Sequence, residues 1–292
     1  MPEGDTVFLT GRTVARALTG ATVTGCEFRV PALATADLSG WVFTGVRTVG
    51  KHLFFRFRDG RDDPDGRAGE RELSLHSHLR MDGEWRVLHP SARRPVRDHR
   101  VRVVLTAGTA ELVGIRVHDL AVMSTSDEHR RVSLLGPDLL DPEWTAEHTA
   151  RAVAALTADP AREIGLALLD QTVMAGVGNL YKVETCFLLG VTPWTPVSDM
   201  DAGGATRAVA LARRLLRANA ARREQSTTGQ LVRGRRTWVY ERTRHGCFRC
   251  GGPVRVAAQG ASEGDGGAVR IGTEGRPVWF CPRCQHGPAP DR

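Results

Sequence analysis

The chain has 292 residues, 41% of them hydrophobic and 25% charged, enough for two domains with real cores. Its net charge is +7, yet residues 207–256 hold 13 arginines against only Glu224 and Glu241, a local +11 that leaves −4 for the rest. So basic a stretch on a mildly acidic body points to a polyanionic partner, nucleic acid before a merely solvated face. Nothing approaches ~18 consecutive apolar residues, which excludes a membrane-spanning helix.

Residues 1–30 carry Glu3, Asp5, Arg12 and Arg16 and lack an apolar signal core, so a cytoplasmic protein without a signal peptide is expected. Its six cysteines then stay reduced and need a reading other than a disulfide framework. The only lysines are Lys51 and Lys182.

In chain order, residues 5–18 read as a helix. Val7, Phe8, Val14, Ala15 and Leu18 recur at helical spacing, Asp5 or Thr6 is placed to cap it, and Gly20 to end it. Residues 21–30, 41–58, 72–88 and 99–117 are rich in Val, Thr and aromatics and broken by glycines, the pattern of short strands in a sandwich or barrel. Residues 61–70 (RDDPDGRAGE) read as a surface loop. The pattern changes at residues 135–144 (LGPDLLDPEW). Beyond it, residues 146–156, 160–174, 180–189 and 202–221 read as helices, and the last 50 residues return to short strands around cysteines, with a Gly-rich flexible loop at 257–275. The expected fold class is α+β and multidomain: a β-rich domain over 1–134, a helical domain over 135–244 and a cysteine module over 245–292.

Cys247-Phe-Arg-Cys250 and Cys281-Pro-Arg-Cys284 are two C-x-x-C pairs with 30 residues between them. Four thiolates so arranged can enclose one zinc ion, against the alternative of a redox dithiol, and a module this short needs a metal in place of a core. A closed four-thiolate shell makes that zinc structural. Cys26 and Cys186 lie in apolar contexts and read as buried thiols.

Residues 170–184 (DQTVMAGVGNLYKVE) break one helix at Gly176 and Gly178 and start another, with Asn179 placed to cap it and Gly190 to end it. Such a helix start is either a phosphate site or a plain helical turn. At the other end, Met1 precedes Pro2, and its removal leaves a secondary amine. An α-amino group titrates near neutrality and is a candidate nucleophile for a sugar carbon, with Glu3 beside it as an acid. A merely tolerated terminus is the alternative.

Taken together these segments resemble the formamidopyrimidine-DNA glycosylase and endonuclease VIII family along essentially the whole chain. The matching pieces are Pro2-Glu3-Gly4, Val49-Gly50-Lys51-His52, His78-Leu79-Arg80-Met81-Asp82-Gly83, Leu135-Gly136-Pro137-Asp138, Gln171 with Ala175 to Tyr181 and Glu184, and Arg276 with Phe280 to Gln285. Gly4 is more like the endonuclease VIII branch. The resemblance implies a β-sandwich, a helix-two-turns-helix domain and a zinc β-hairpin, and a monomeric bifunctional DNA glycosylase and abasic-site lyase of base excision repair.

It further implies a nucleophilic Pro2, Glu3 opening the deoxyribose, and Lys51 on the phosphate beside the lesion. Met81, flanked by Arg80 and Asp82, would fill the space of an everted base, while Asn179 and Arg276 would hold phosphates. Damaged DNA is the implied partner, in a bacterial-type cytoplasm at the nucleoid, with one structural zinc and no small-molecule cofactor. Family members commonly carry a Glu where this chain has Thr6, so the resemblance implies base excision weakened more than the lyase step, unless water or Asp5 substitutes. Residues 222–240 look short for a lesion-covering loop, which favours pyrimidine or abasic substrates. The alternatives are a lyase with little base excision, a non-catalytic zinc DNA-binding protein, and Lys51 as nucleophile.

Overall fold

A computed structural model describes residues 2–60, 71–89, 99–260 and 275–290, which form two compact units, Met1–Leu134 and Leu135–Arg292. The predicted loop at 61–70 lies outside the described residues.

The first unit opens with α1 (Gly4–Leu18), on which Val7, Val14 and Leu18 form one buried stripe. The helix starts earlier than the sequence pattern predicts. Glu3, in extended conformation, takes the cap position without a side-chain cap bond, and Asp5 and Thr6 lie inside the first turn. Eight strands follow: β1 (Val23–Phe28), β2 (Trp41–Val49), β3 (His52–Asp59), β4 (Glu72–His78), β5 (Glu84–Leu88), β6 (Val101–Ala107), β7 (Ala110–Ile115) and β8 (Asp119–Ser124). They pair antiparallel in two sheets, ordered β1-β6-β7-β5 and β2-β3-β4-β8.

Period-two alternation builds the core between them. On β3, Leu53, Phe55 and Phe57 face inward, and Phe55 meets Trp85 of β5 edge-on at 4.8 Å, joining the two sheets. Each such aromatic contributes about 1.5–3 kcal/mol by burial. A short helix, α2 (Glu128–Val132), closes the unit. Its Glu128 carboxylate is buried, accepting bonds from Arg47 (3.0 Å), Arg56 (2.6 and 2.8 Å) and Ser74 (2.6 Å).

The second unit contains α3 (Ala146–Thr157), α4 (Ile164–Leu169), α5 (Asn179–Leu189), α6 (Gly204–Asn219) and the hairpin β9 (Arg255–Gln259) and β10 (Arg276–Phe280). α4 is shorter than the predicted 160–174. The Asp159 carboxylate accepts the Ala161 amide at 3.2 Å before it, and Asp170 accepts the Thr172 amide at 2.8 Å after it. Local bonds of this kind compete with the helical ladder. Asn179 is the first residue of α5, and Gly178 takes the cap position assigned to it from sequence. Gly190 ends the helix in left-handed conformation (φ 78°), as its position suggests. Of the predicted Gly-rich loop, residues 257–259 belong to β9, and 261–274 are outside the described residues. The cysteine segment packs on α5 through Val183, Phe187, Val239, Cys247, Val278 and Cys281.

Candidate active site, phosphate contacts and metal centre

Pro2 is half-buried and leads directly into the positive end of α1. Glu3 next to it is 0% exposed, and its carbonyl accepts the Val7 amide at 3.0 Å. Asp5, in the first turn, is buried as well. α1 is seated by Gly11, where a Cβ would fall 2.7 Å from Thr48 Cγ2 of β2. Any side chain there lifts the helix off the β2–β3 hairpin, the hairpin that carries Lys51.

That hairpin closes in two residues, because Val49 pairs with His52. Gly50 (φ 55°) supplies the positive φ that a glycine-first two-residue turn requires, and half-buried Lys51 sits at its tip. Three histidines gather beside it. His52 pairs across strands with His78 (ring centroids 5.1 Å apart), and its Nδ1 lies 2.9 Å from His76 Nε2. The Arg80 amide donates to His78 Nδ1 at 3.0 Å, so His78 carries its proton on Nε2. Burial, reinforced by His52, pushes His76 and His78 down to about 4; burial also lowers His52. The cluster is therefore neutral at pH 7.

Residues 79–83 form a tight turn between β4 and β5. Leu79 is buried, the Gly83 amide returns to the Leu79 carbonyl at 2.9 Å, and Met81 at the tip is 60% exposed. Arg80 adopts φ 53° and pairs with Asp119 at 2.6 Å, while Arg116 reaches the Asp82 carboxylate at 3.4 Å. Met81 is thus an exposed apolar tip between two residues anchored by ion pairs.

In the second unit, Gln171 braces the turn between α4 and α5. Its amide donates to the Leu169 and Val177 carbonyls (2.8 and 2.9 Å), and its Oε1 accepts the Gly176 amide at 3.0 Å. Asn179 is 2% exposed and donates to the Pro277 carbonyl at 2.9 Å, while its buried Oδ1 has no partner among the described residues. Arg276 precedes Pro277 at the start of β10, so the structure brings these two candidate phosphate residues together.

Cys247, Cys250, Cys281 and Cys284 are unbridged, and their sulfurs all lie within 4.8 Å of one another. Cys250 and Cys281 are 3.6 Å apart, Cys247 and Cys284 3.9 Å. A tetrahedral zinc site with metal–sulfur bonds of about 2.3 Å has sulfur–sulfur edges of about 3.8 Å. Four thiolates in that array fit such an ion. Gln285 secures the second knuckle by accepting the Cys281 amide at 2.8 Å and donating to the Val191 carbonyl at 2.8 Å.

Two features escape a reading of the sequence alone. The histidine cluster depends on strand register, although the spacing His76-x-His78 hints at a shared face. Glu184, fully buried on α5, accepts the amides of Trp238 (2.7 Å), Val239 and Tyr240 (both 2.9 Å) and the Thr227 hydroxyl. It ties the segment before the cysteines to α5.

Residues 1–120 match the formamidopyrimidine-DNA glycosylase N-terminal domain, and residues 135–230 match the H2TH domain of the same glycosylase. The chain is 45% identical to a probable endonuclease 8 2 of Streptomyces coelicolor, over 99% of this chain and 96% of that protein. It is 41% identical to the DNA-(apurinic or apyrimidinic site) lyase Nei2 of Mycolicibacterium smegmatis (98% and 99%). Endonuclease 8 of Escherichia coli is 28% identical (98% and 100%). In fold, the chain resembles formamidopyrimidine-DNA glycosylase from Lactococcus lactis, solved with DNA containing an abasic site, with a TM-score of 0.76 at 21% identity, over 98% of this chain and 100% of that one. Matches to both domains and full-length likeness to the endonuclease 8 proteins place this chain in the formamidopyrimidine-DNA glycosylase and endonuclease VIII family, on its endonuclease VIII-like side.

Proposed function

We propose that the chain is a bifunctional DNA glycosylase and abasic-site lyase of base excision repair, acting through the amine of Pro2. The observation that carries this reading is the delivery of Pro2 to the positive end of α1, with the Glu3 carboxyl buried beside it. The helix field disfavours a protonated amine there, and family membership supplies the reaction class.

The Pro2 nitrogen lone pair attacks C1′ of an everted nucleotide, and the C1′–O4′ bond breaks as Glu3 donates a proton to the ring oxygen. The base then leaves the ring-opened aminal with the C1′–base electron pair and the proton given up by the Pro2 nitrogen, whose lone pair closes the iminium ion. Loss of a C2′ proton then expels the 3′ phosphate, and a second elimination expels the 5′ phosphate. Lys51 holds the phosphate beside the lesion and assists elimination, with Arg80, Met81 and Asp82 at the vacated stack and Asn179 and Arg276 on phosphates. Eversion costs a few kcal/mol, and less for a damaged, weakly paired base.

In this reading the domains are residues 1–134, 135–244 and 245–292. The four cysteines hold one zinc that shapes the last of them, and the protein works as a monomer on damaged DNA at the nucleoid, without a small-molecule cofactor. Oxidised pyrimidines are the preferred bases. Thr6 favours a second reading, a lyase with little base excision, and the Mycolicibacterium relative bears the name of a lyase. Borohydride added during turnover on an abasic duplex should trap the protein on DNA, with the adduct on the peptide beginning at Pro2 by mass spectrometry. An adduct on Lys51, or trapping that survives Pro2→Ala, overturns the mechanism. Comparing oxidised-pyrimidine with abasic duplexes separates the two readings.

A further inference from the structure

In the second unit, α3 and α6 border a groove of about 540 Å³ that the proposed reaction does not use. Its walls carry Trp144, Thr149, Val209, Arg213, Arg214 and Arg217. Trp144 is held in place: its indole N–H donates to Thr149 Oγ1 at 2.9 Å, and the ring stacks with His148 at 5.5 Å. The Arg213 guanidinium lies 5.0 Å from the centre of the indole, and its Nε is buried with no hydrogen-bond partner among the described residues. No ion pair engages Arg213, Arg214 or Arg217 within 4.0 Å among those residues.

Such an arrangement is costly in the free protein. Arg213 and Arg217 are one helical turn apart, where like charges repel, and burial together with Arg217 holds the Arg213 pKa below its ordinary value, Asp141 opposing. An anion paired with the guanidinium from outside offsets the repulsion between the two arginines. Arg213, Arg214 and Arg217 differ from the rest of the basic 207–256 stretch in bordering an apolar floor around Val209, next to Trp144, where a nucleic-acid backbone has no group to place. An acidic peptide with an apolar side chain fills both kinds of surface. None of the residues that line the groove is among the candidate phosphate contacts Asn179 and Arg276.

We propose that the α3–α6 groove docks an acidic peptide segment of a partner protein, its carboxylates on Arg213 and Arg217 and an apolar side chain against Val209 and Trp144. Arginine and tryptophan are the residues that most often dominate such interfaces. This inference stands whether or not Pro2 is the nucleophile.

The test uses the full-length, metal-replete protein and fluorescein-labelled Asp-Asp-Asp-Leu-Phe, with Lys-Lys-Lys-Leu-Phe as control, read by fluorescence anisotropy. The variants are Arg213→Gln/Arg217→Gln and Ala210→Glu, the latter adding an opposing charge at an exposed helix position. Their thermal melts report folding, and an abasic duplex is the parallel probe. The acidic peptide should bind saturably, both variants should weaken it by about tenfold or more, and duplex affinity should stay within about twofold. Equal binding of the two peptides, no saturation, or variants that bind the acidic peptide normally overturn the proposal. A tenfold loss of duplex affinity in the variants also overturns it and makes the groove a nucleic-acid contact.

Discussion

Replacing Glu184 by Gln tests how the cysteine segment is held to α5. In the native chain one carboxylate oxygen accepts the Val239 and Tyr240 amides, and the other accepts the Trp238 amide and the Thr227 hydroxyl. Burial pushes this carboxyl up, while the hydroxyl and three amides pull the other way. The three amides can only donate, so the folded arrangement requires an acceptor on both oxygens. Gln keeps one acceptor and turns an NH2 toward Trp238; the Thr227 hydroxyl can turn to accept from it, but the Trp238 amide is left without an acceptor, at about 1–3 kcal/mol. The expected loss is about 2–3 kcal/mol, a fall in melting temperature on the order of 5–10 °C.

The damage should begin locally. Trp238 stacks on Phe187 at 5.6 Å and meets Phe248 at 5.5 Å, while Val239 shares a core with Cys247 and Cys281. Urea unfolding at fixed metal concentration gives the global value, and hydrogen exchange at the 238–240 amides gives the local one. Thr227→Val, removing one bond, should cost about 1–2 kcal/mol and serves if Glu184→Gln does not fold. A loss below about 1 kcal/mol in Glu184→Gln, with undiminished protection at those amides, refutes the latch.

The histidine cluster gives a pH signature. His76 and His78 titrate near 4 when folded and near 6.5 when unfolded, so the unfolded chain takes up their protons first as pH falls. Their contribution is fully present above about 6.5 and declines toward 4, and His76→Asn should flatten that part of a stability–pH curve; an unchanged slope counts against the cluster. Thiol modification in the presence of a colorimetric chelator should release about one zinc per chain and unfold the β9–β10 hairpin, with loss of duplex binding. A chain that yields no metal yet keeps its fold and affinity speaks against a structural ion.

What the sequence reveals and what it hides divides along the range of the interaction. The two C-x-x-C knuckles were readable because each is a local turn, and the 30 residues between them only need to return. The strands over 41–58 were readable from their Val, Thr and aromatic content, but the face shared by Leu53, Phe55 and Phe57 was not, because Phe54 between them is apolar and buried as well. The histidine cluster was hidden because it depends on His52 standing opposite His78, and register is a property of paired strands. Glu184 was hidden for a related reason: its partners lie 43 to 56 positions away, and a Glu on a helix ordinarily faces solvent. The errors at helix ends had a local origin. Asp159 and Asp170 bond to nearby amides, and Glu3 and Gly178 supplied caps through backbone conformation without a capping side chain.

Thr6 leaves the proton inventory at the start of α1 short of one acid, and its hydroxyl can donate a hydrogen bond but cannot exchange a proton usefully at neutral pH. Beyond Glu3, the first turn holds one other carboxyl, the buried Asp5. If Asp5 stands in for the missing acid, Asp5→Asn should slow release of an oxidised pyrimidine by about 10²-fold, the lower range of general-acid catalysis. Cleavage of a preformed abasic site needs no base protonated and should change little. Adding Thr6→Glu to that variant should restore base release, since a carboxyl returns to the same turn. If Asp5 instead only complements the helix dipole, worth about 0.3–1 kcal/mol, then Asp5→Asn lowers the melting temperature slightly and leaves both reactions alike. Parallel rates on the two duplexes therefore decide the matter: a selective loss assigns Asp5 to base departure, and a uniform result removes it from the chemistry.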